Sequence, residues 1–180
     1  QTVAIGPGLS IESPAQAFAR DIALLAPVPT VIDADGLNAL ADHVDELARA
    51  EAPRVLTPHP GEAARLLGIS PAEVLADRAG SVMRLAKKSG SVVVLKGAGT
   101  MVSDGERLYV NESGNPGMAT AGTGDVLTGV IASLLAQGMT TFDGAVLGVH
   151  LHGLAGDLAA AELGMHGMIA SDILDRLPRA

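Results

Sequence analysis

Ser91-Val92-Val93-Val94-Leu95-Lys96-Gly97-Ala98-Gly99-Thr100 is the stretch from which the fold can be read. Val92 to Leu95 carries no polar residue at alternate positions, so neither face of this strand is meant for water. Such a strand belongs inside a sheet covered on both sides, and it ends in a lysine followed by glycines. In a parallel α/β sheet that end, the carboxyl end, is where ligands bind.

Working outward, the same alternation recurs. Thr2 to Ile5 is a short apolar run that breaks into Gly6-Pro7-Gly8-Leu9-Ser10, and Ser13-Pro14 opens a helix to about Leu25. Thr30 to Ile32 is a buried strand closed by Asp33-Ala34-Asp35-Gly36, with a helical segment around Leu37 to Leu40. Arg54 to Leu56 is the next strand, followed by Thr57-Pro58-His59-Pro60-Gly61-Glu62 and a short helix to Leu67. Ser70-Pro71-Ala72-Glu73 is a capping box that starts a longer helix, ended by Gly90. Asp104-Gly105 predicts a tight hairpin between Met101–Ser103 and Arg107–Val110. A helix to about Ala136 and a long one from Phe142 to Leu163 follow, and Ser171 caps a last short helix. Gly144, Gly148, Gly153 and Gly156 give the long helix a surface that a neighbour can approach closely. The expected fold is α/β: a mostly parallel sheet with helices on both faces and a small antiparallel hairpin. No repeat or linker divides residues 1–180, which read as a single domain.

Composition narrows the chemistry. With 48% hydrophobic residues but only 2% aromatic ones, the core must be built from Ala, Val, Leu and Ile. The absence of cysteine excludes disulfides, thiolate zinc sites and thiol catalysis. A net charge of −8, with Lys87, Lys88 and Lys96 the only lysines, argues against a nucleic-acid partner. No apolar run reaches membrane-spanning length and the start lacks a signal-peptide pattern, so the expectation is a cytoplasmic protein without a membrane partner.

Chemistry concentrates in Asn115-Pro-Gly-Met-Ala-Thr-Ala-Gly122-Thr123-Gly124-Asp125-Val-Leu-Thr-Gly129. Gly122 and Gly124 allow close approach of an anion to the free N–H groups of a helix start, where the dipole also favours negative charge. A carboxylate there, Asp125, repels the guest its neighbours attract, unless it is needed to remove a proton. The bland alternative is a helix cap. His59, flanked by prolines with Glu62 behind it, reads as a ligand contact or a surface turn. Lys96 reads equally as a nucleotide contact or a solvated lysine. Asp33 and Asp35 suit a turn or cap better than a magnesium site. His150 and His152 face different sides of a helix and do not chelate. The Gly-Lys-Ser/Thr ending of a P-loop is missing.

Together TPHPGE, LKGAGT, GNPGMATAGTGDVLTG and LHGLAGDLAA resemble the ADP- or ATP-dependent NAD(P)H-hydrate dehydratases, a branch of the ribokinase-like superfamily, from Ile5 to about Ser171. The resemblance implies repair of NADH or NADPH to which water has added at ring position C6, by phosphorylation of that hydroxyl from a nucleotide and loss of phosphate. It implies Asp125 as base and substrate contact, with Gly8 and His59 also touching the hydrate. It implies Lys96, Gly97, Ala98, Gly99, Thr100 and Gly124 as nucleotide contacts, with Gly122, Asn115 and Thr123 beside them. Glu62 falls on an element associated with Mg²⁺. Members carry further N-terminal strands and helices before the IGPGLS turn, occur alone or behind an epimerase domain, and often form homo-oligomers. Two alternatives remain open: a kinase for a thiazole- or hydroxymethylpyrimidine-type alcohol, and an inactive nucleotide-binding module.

Overall fold

A computed structural model describes all 180 residues. Six strands form one sheet in sequence order: β1 (Val3–Ile5), β2 (Thr30–Ile32), β3 (Arg54–Leu56), β4 (Val92–Leu95), β5 (Met101–Ser103) and β6 (Leu108–Val110). The first four are parallel, and β5 and β6 add antiparallel to β4. The eight α-helices are α1 (Ser13–Leu25), α2 (Ala34–Asn38), α3 (Pro60–Leu67), α4 (Pro71–Ala76), α5 (Arg78–Ser89), α6 (Thr123–Ala136), α7 (Thr141–Leu163) and α8 (Ala170–Leu174). None is long and apolar enough to cross a membrane.

Side-chain alternation sorts the helices into two layers. Ile32, Leu56, Val93 and Leu95 point to one face and pack with α1, α2, α3 and α5 through residues such as Ala19, Leu37, Leu66 and Leu85. Val31, Val55, Val92 and Val94 point to the other and pack with Leu127, Ile131 and Leu135 of α6 and Ala145 and Val149 of α7. This is why β4 reads as apolar throughout: each face meets a different helix layer. Because β1 to β4 lie in sequence order, their right-handed crossovers send every connecting helix to one side. Only the helices after the hairpin can cover the other.

Three local readings change. The capping box at Ser70 starts α4, but that helix stops at Ala76, because Asp77 leaves helical geometry and its carboxylate accepts the Gly80 N–H at 2.8 Å. An Asp that can cap competes with continuing the helix, so one expected helix becomes two. The hairpin is not closed by Asp104-Gly105 alone. Asp104 Oδ1 accepts from the N–H groups of Glu106 (3.0 Å) and Arg107 (2.8 Å), which makes a four-residue connection. The N-cap positions of α1 and α8 fall at Glu12 and Ile169, one and two residues before Ser13 and Ser171, and neither side chain caps.

Arg54 does more than start a strand. It is buried, and its guanidinium donates to the carbonyls of Ala23 (2.5 Å) and Ala26 (2.8 Å) at the carboxyl end of α1 and to Ala52 (2.7 Å). Burial lowers its pKa from the usual arginine value. The cation thus satisfies carbonyls a helix end leaves open.

Candidate functional site

Four turns at the carboxyl ends of β1 to β4 and the start of α6 make the site. Behind β3, His59 is the N-cap of α3: its Nδ1 accepts from the N–H groups of Gly61 (3.0 Å) and Glu62 (3.3 Å), while Glu62 Oε2 accepts the His59 N–H at 2.7 Å. This is a capping box with histidine in the serine position. Its consequence is chemical: an accepting Nδ1 places the ring proton on Nε2, which lies 3.5 Å from Glu62 Oε1 on a half-exposed ring. His59 therefore caps a helix, as a turn residue does, and leaves its Nε2 on the half-exposed edge of the ring.

Behind β4, Gly97 (φ +130°) and Gly99 (φ +60°) turn the Lys96–Thr100 loop, and the Thr100 hydroxyl donates to the Gly97 carbonyl at 2.9 Å. Arg78 of α5 lies beneath this loop and donates to the carbonyls of Ala98 and Leu95. The Lys96 N–H donates to the Pro58 carbonyl at 2.9 Å, tying this loop to the His59 turn. Lys96 is not a solvated lysine: its ammonium is 2.6 Å from Asp33 Oδ1 and 4.0 Å from Glu62 Oε2.

The aspartate pair after β2 divides. Asp35 Oδ2 accepts the Ser10 N–H at 2.9 Å and so holds the first glycine turn, in keeping with a turn role. Asp33 makes no cap. It is 1% exposed and binds Lys96, and its other oxygen accepts the Thr128 hydroxyl at 3.1 Å. The turn reading of Asp33 thus holds for its backbone, while its carboxylate pairs with a lysine 63 residues away that sequence spacing could not see.

In the glycine loop, Gly122 (φ +85°) precedes α6, and Asp125 is exposed in its first turn. Asp125 stands between two clefts. One, of about 540 Å³, is lined by Ile5, Gly6, Pro7, Leu9, Phe18 and Thr128 among others, and the second, of about 610 Å³, by Val130, Leu134, Leu151 and Leu174 among others. Gly8 itself is exposed and open on its side-chain side, so the turn's neighbours Gly6, Pro7 and Leu9 face the cleft. A Cβ built on Gly124 would sit 3.4 Å from the Lys96 ammonium and 3.7 Å from Asp33 Oδ2, so the α6 start and the Lys96 loop meet at this pair.

Asn115 and Thr123 hold the loop itself. Asn115 Nδ2 donates to Asp157 of α7 at 3.0 Å, its Oδ1 accepts the Gly117 N–H at 3.0 Å, and the Thr123 hydroxyl reaches the carbonyls of Met118 and Thr120 at 3.0 Å. Asp157 also accepts the Gly114 N–H at 2.8 Å. The glycines of α7 make this seating possible: a Cβ at Gly153 or Gly156 would come within 2.2 Å of Ser113 Oγ or 2.3 Å of Met118 Sδ. Thr128, Arg78 and Asp157 were missed. Only Thr128 carried a sequence signal, lying three residues after Asp125 and so on the same helix face.

His152 of α7 lies beside Thr123 and is buried, which drives its pKa down to about 4. The unfolded chain, with an ordinary histidine, binds a proton below about pH 6.5 that the folded chain refuses until about pH 4. Folding stability therefore falls as pH drops through this window, by up to about 3 kcal/mol for this group. Urea unfolding of His152→Gln at pH 7 and pH 4.5 is expected to show a smaller acid loss than the parent; an equal loss in both would contradict it.

Residues 1–179 match the family model described as NAD(P)H-hydrate dehydratase. The chain belongs to the NAD(P)H-hydrate dehydratase family. Its fold is ribokinase-like, as the resemblance implied. It is 48% identical over 178 residues to the bifunctional NAD(P)H-hydrate repair enzyme of Moorella thermoacetica, covering 98% of this chain and 33% of that one. It is 49% identical over 149 residues to the ADP-dependent (S)-NAD(P)H-hydrate dehydratase of Neisseria meningitidis, covering 81% and 50%. The Bacillus subtilis ADP/ATP-dependent NAD(P)H-hydrate dehydratase, co-crystallised with ATP and Mg²⁺, superposes with a TM-score of 0.84 at 32% identity, over 99% of this chain and 62% of that one. This dehydratase-family chain thus spans about a third to a half of the curated relatives and under two thirds of that structure.

Proposed function

We propose that the protein of which this chain is part dehydrates hydrated NADH or NADPH, using ADP or ATP to phosphorylate the C6 hydroxyl. The observation that carries this reading is Asp125: an exposed carboxylate in the first turn of a 14-residue helix, between two clefts, where free N–H groups attract phosphate. A site built only to hold anions gains nothing from a carboxylate there. A site that must deprotonate a hydroxyl beside a phosphoryl group does.

In this mechanism Asp125 accepts the proton as the C6 oxygen attacks the terminal phosphorus, and the bond from phosphorus to the bridging oxygen breaks toward AMP or ADP. The amides at Gly122 to Gly124 and the Lys96 ammonium stabilise charge on the transferring oxygens. Elimination follows without further protein chemistry: the ring nitrogen's lone pair expels phosphate and one proton is lost, restoring the dihydropyridine. His59 offers Nε2–H and the Gly6 to Leu9 turn offers backbone to the hydrate. The Lys96–Thr100 loop offers its backbone to the nucleotide, with Asn115 and Thr123 holding or touching it through the neighbouring loop.

Magnesium fits the donor set in a limited way. No cluster of three acidic or imidazole side chains could hold a metal alone, but a hydrated Mg²⁺ needs only one or two carboxylates besides phosphate. Glu62 supplies one, since its Oε1 is not used by the cap. The ion, when bound, neutralises phosphate charge. A cytoplasmic location and a homo-oligomeric state complete the proposal, the second checked by sizing in solution.

The test is incubation of the full protein with NADH hydrate and ADP. Recovery of NADH with stoichiometric free phosphate supports the reading. A stable phosphorylated product from a thiazole- or pyrimidine-type alcohol, without action on the hydrate, would replace it by a kinase, and nucleotide binding with neither reaction by a binding module.

A further inference from the structure

Asp33 is a buried carboxylate whose two oxygens join the turn after β4 to the helix α6. The residue is 1% exposed and follows β2 directly, and its two carboxylate oxygens take Lys96 (2.6 Å) from the turn after β4 and Thr128 (3.1 Å) from α6. Its backbone is held as firmly. The N–H donates to the Ile5 carbonyl at 3.0 Å, and its own carbonyl accepts the Gly36 N–H at 2.9 Å. The next residue, Ala34, sits at φ +47°, a conformation that non-glycine residues adopt at a cost and that collects at functional sites.

We infer that Asp33 is a positioning residue for the anion site, holding the Lys96 ammonium against the first turn of α6 where the nucleotide's phosphates bind. This rests on the reading of the Gly122–Asp125 turn as a phosphate site. Lysine is a point charge on a long flexible stem, so its use in binding depends on what fixes it. Glu62, the other carboxylate in reach, is farther at 4.0 Å, and the oxygen facing Lys96 is already taken by the His59 N–H. Thr128 fixes the carboxylate in turn, and Gly124 leaves room for the ammonium beside the helix start. A buried ion pair contributes little net stability, so its value lies in geometry.

The test is a double-mutant cycle on ADP binding by calorimetry in the full protein, which requires no hydrate and so stands apart from the dehydratase reaction. Lys96→Met is expected to weaken ADP binding on the order of tenfold or more in the parent. In an Asp33→Asn background the same change is expected to cost less than about threefold, because the lysine has already lost its anchor. Should Asp33→Asn melt too early, Thr128→Val serves as the background, with the penalty of Lys96→Met again reduced. A Lys96→Met penalty that is the same in all backgrounds would overturn the inference and leave Asp33 a purely structural residue. Absence of hydrate turnover with an intact cycle would count against the proposed function alone.

Discussion

In the full protein, Asp125→Asn is expected to lower hydrate turnover by about 10²–10⁴-fold, the range general-base catalysis covers. Asparagine keeps the shape and can still accept a hydrogen bond, but it cannot take the hydroxyl proton. Fold and nucleotide binding move the other way or hardly at all. The carboxylate in the first turn of α6 stabilises that helix by only about 0.3–1 kcal/mol. Removing its charge also relieves repulsion with phosphate, so ADP affinity is expected to hold or rise. The diagnostic result is therefore a split: kcat collapses, while calorimetric ADP binding does not fall. Turnover within a few-fold of the parent would remove Asp125 from the base role and leave it a helix-end charge.

Gly6→Ala is expected to be the most damaging single methyl group. Its Cβ would lie 1.7 Å from the Asp33 carbonyl oxygen and 2.9 Å from the Gly36 nitrogen, both backbone atoms, at φ +129°. No side chain can rotate away to make room. Strain of about 1–3 kcal/mol adds to a similar overpacking cost. Against a total stability of about 5–15 kcal/mol, that leaves a much weakened domain. Because the displaced group is Asp33, the Lys96 anchor moves with it, and ADP affinity is expected to fall as well. Gly8→Ala is the control. It too has a positive φ (+72°), but nothing lies within 4 Å of its Cβ, so only the left-handed penalty of about 1–2 kcal/mol applies. Equal urea midpoints for the two variants would refute the close-contact account.

Much of the fold was legible because its signals are local. An apolar β4 flanked by turn glycines, proline at helix starts and glycine at helix ends report geometry within a few residues. The errors are also local: Asp77 and Asp104 bind nearby N–H groups with their side chains, which patterns of apolar residues do not register. Within the site, the Gly122–Asp125 turn and the His59–Glu62 box could be found because each is contiguous in sequence. Asp33 with Lys96, Asn115 with Asp157 and Arg78 with the Ala98 carbonyl could not, because each pair is brought together only by the sheet and its covering helices.

The sequence by itself determined the parallel α/β plan, the strand-end turns as the candidate site and the carboxylate at the start of α6. These follow from side-chain period, backbone freedom and chain direction, which are properties of short segments. Only the tertiary structure decided what each polar group does. Lys96 is an anchored cation instead of a free one, Asp33 is its anchor instead of a cap, and Asn115 spends its amide on Asp157. The reason is physical: a buried charge must find its partner in three dimensions, and here the partner of Lys96 comes from two strands away in the sheet.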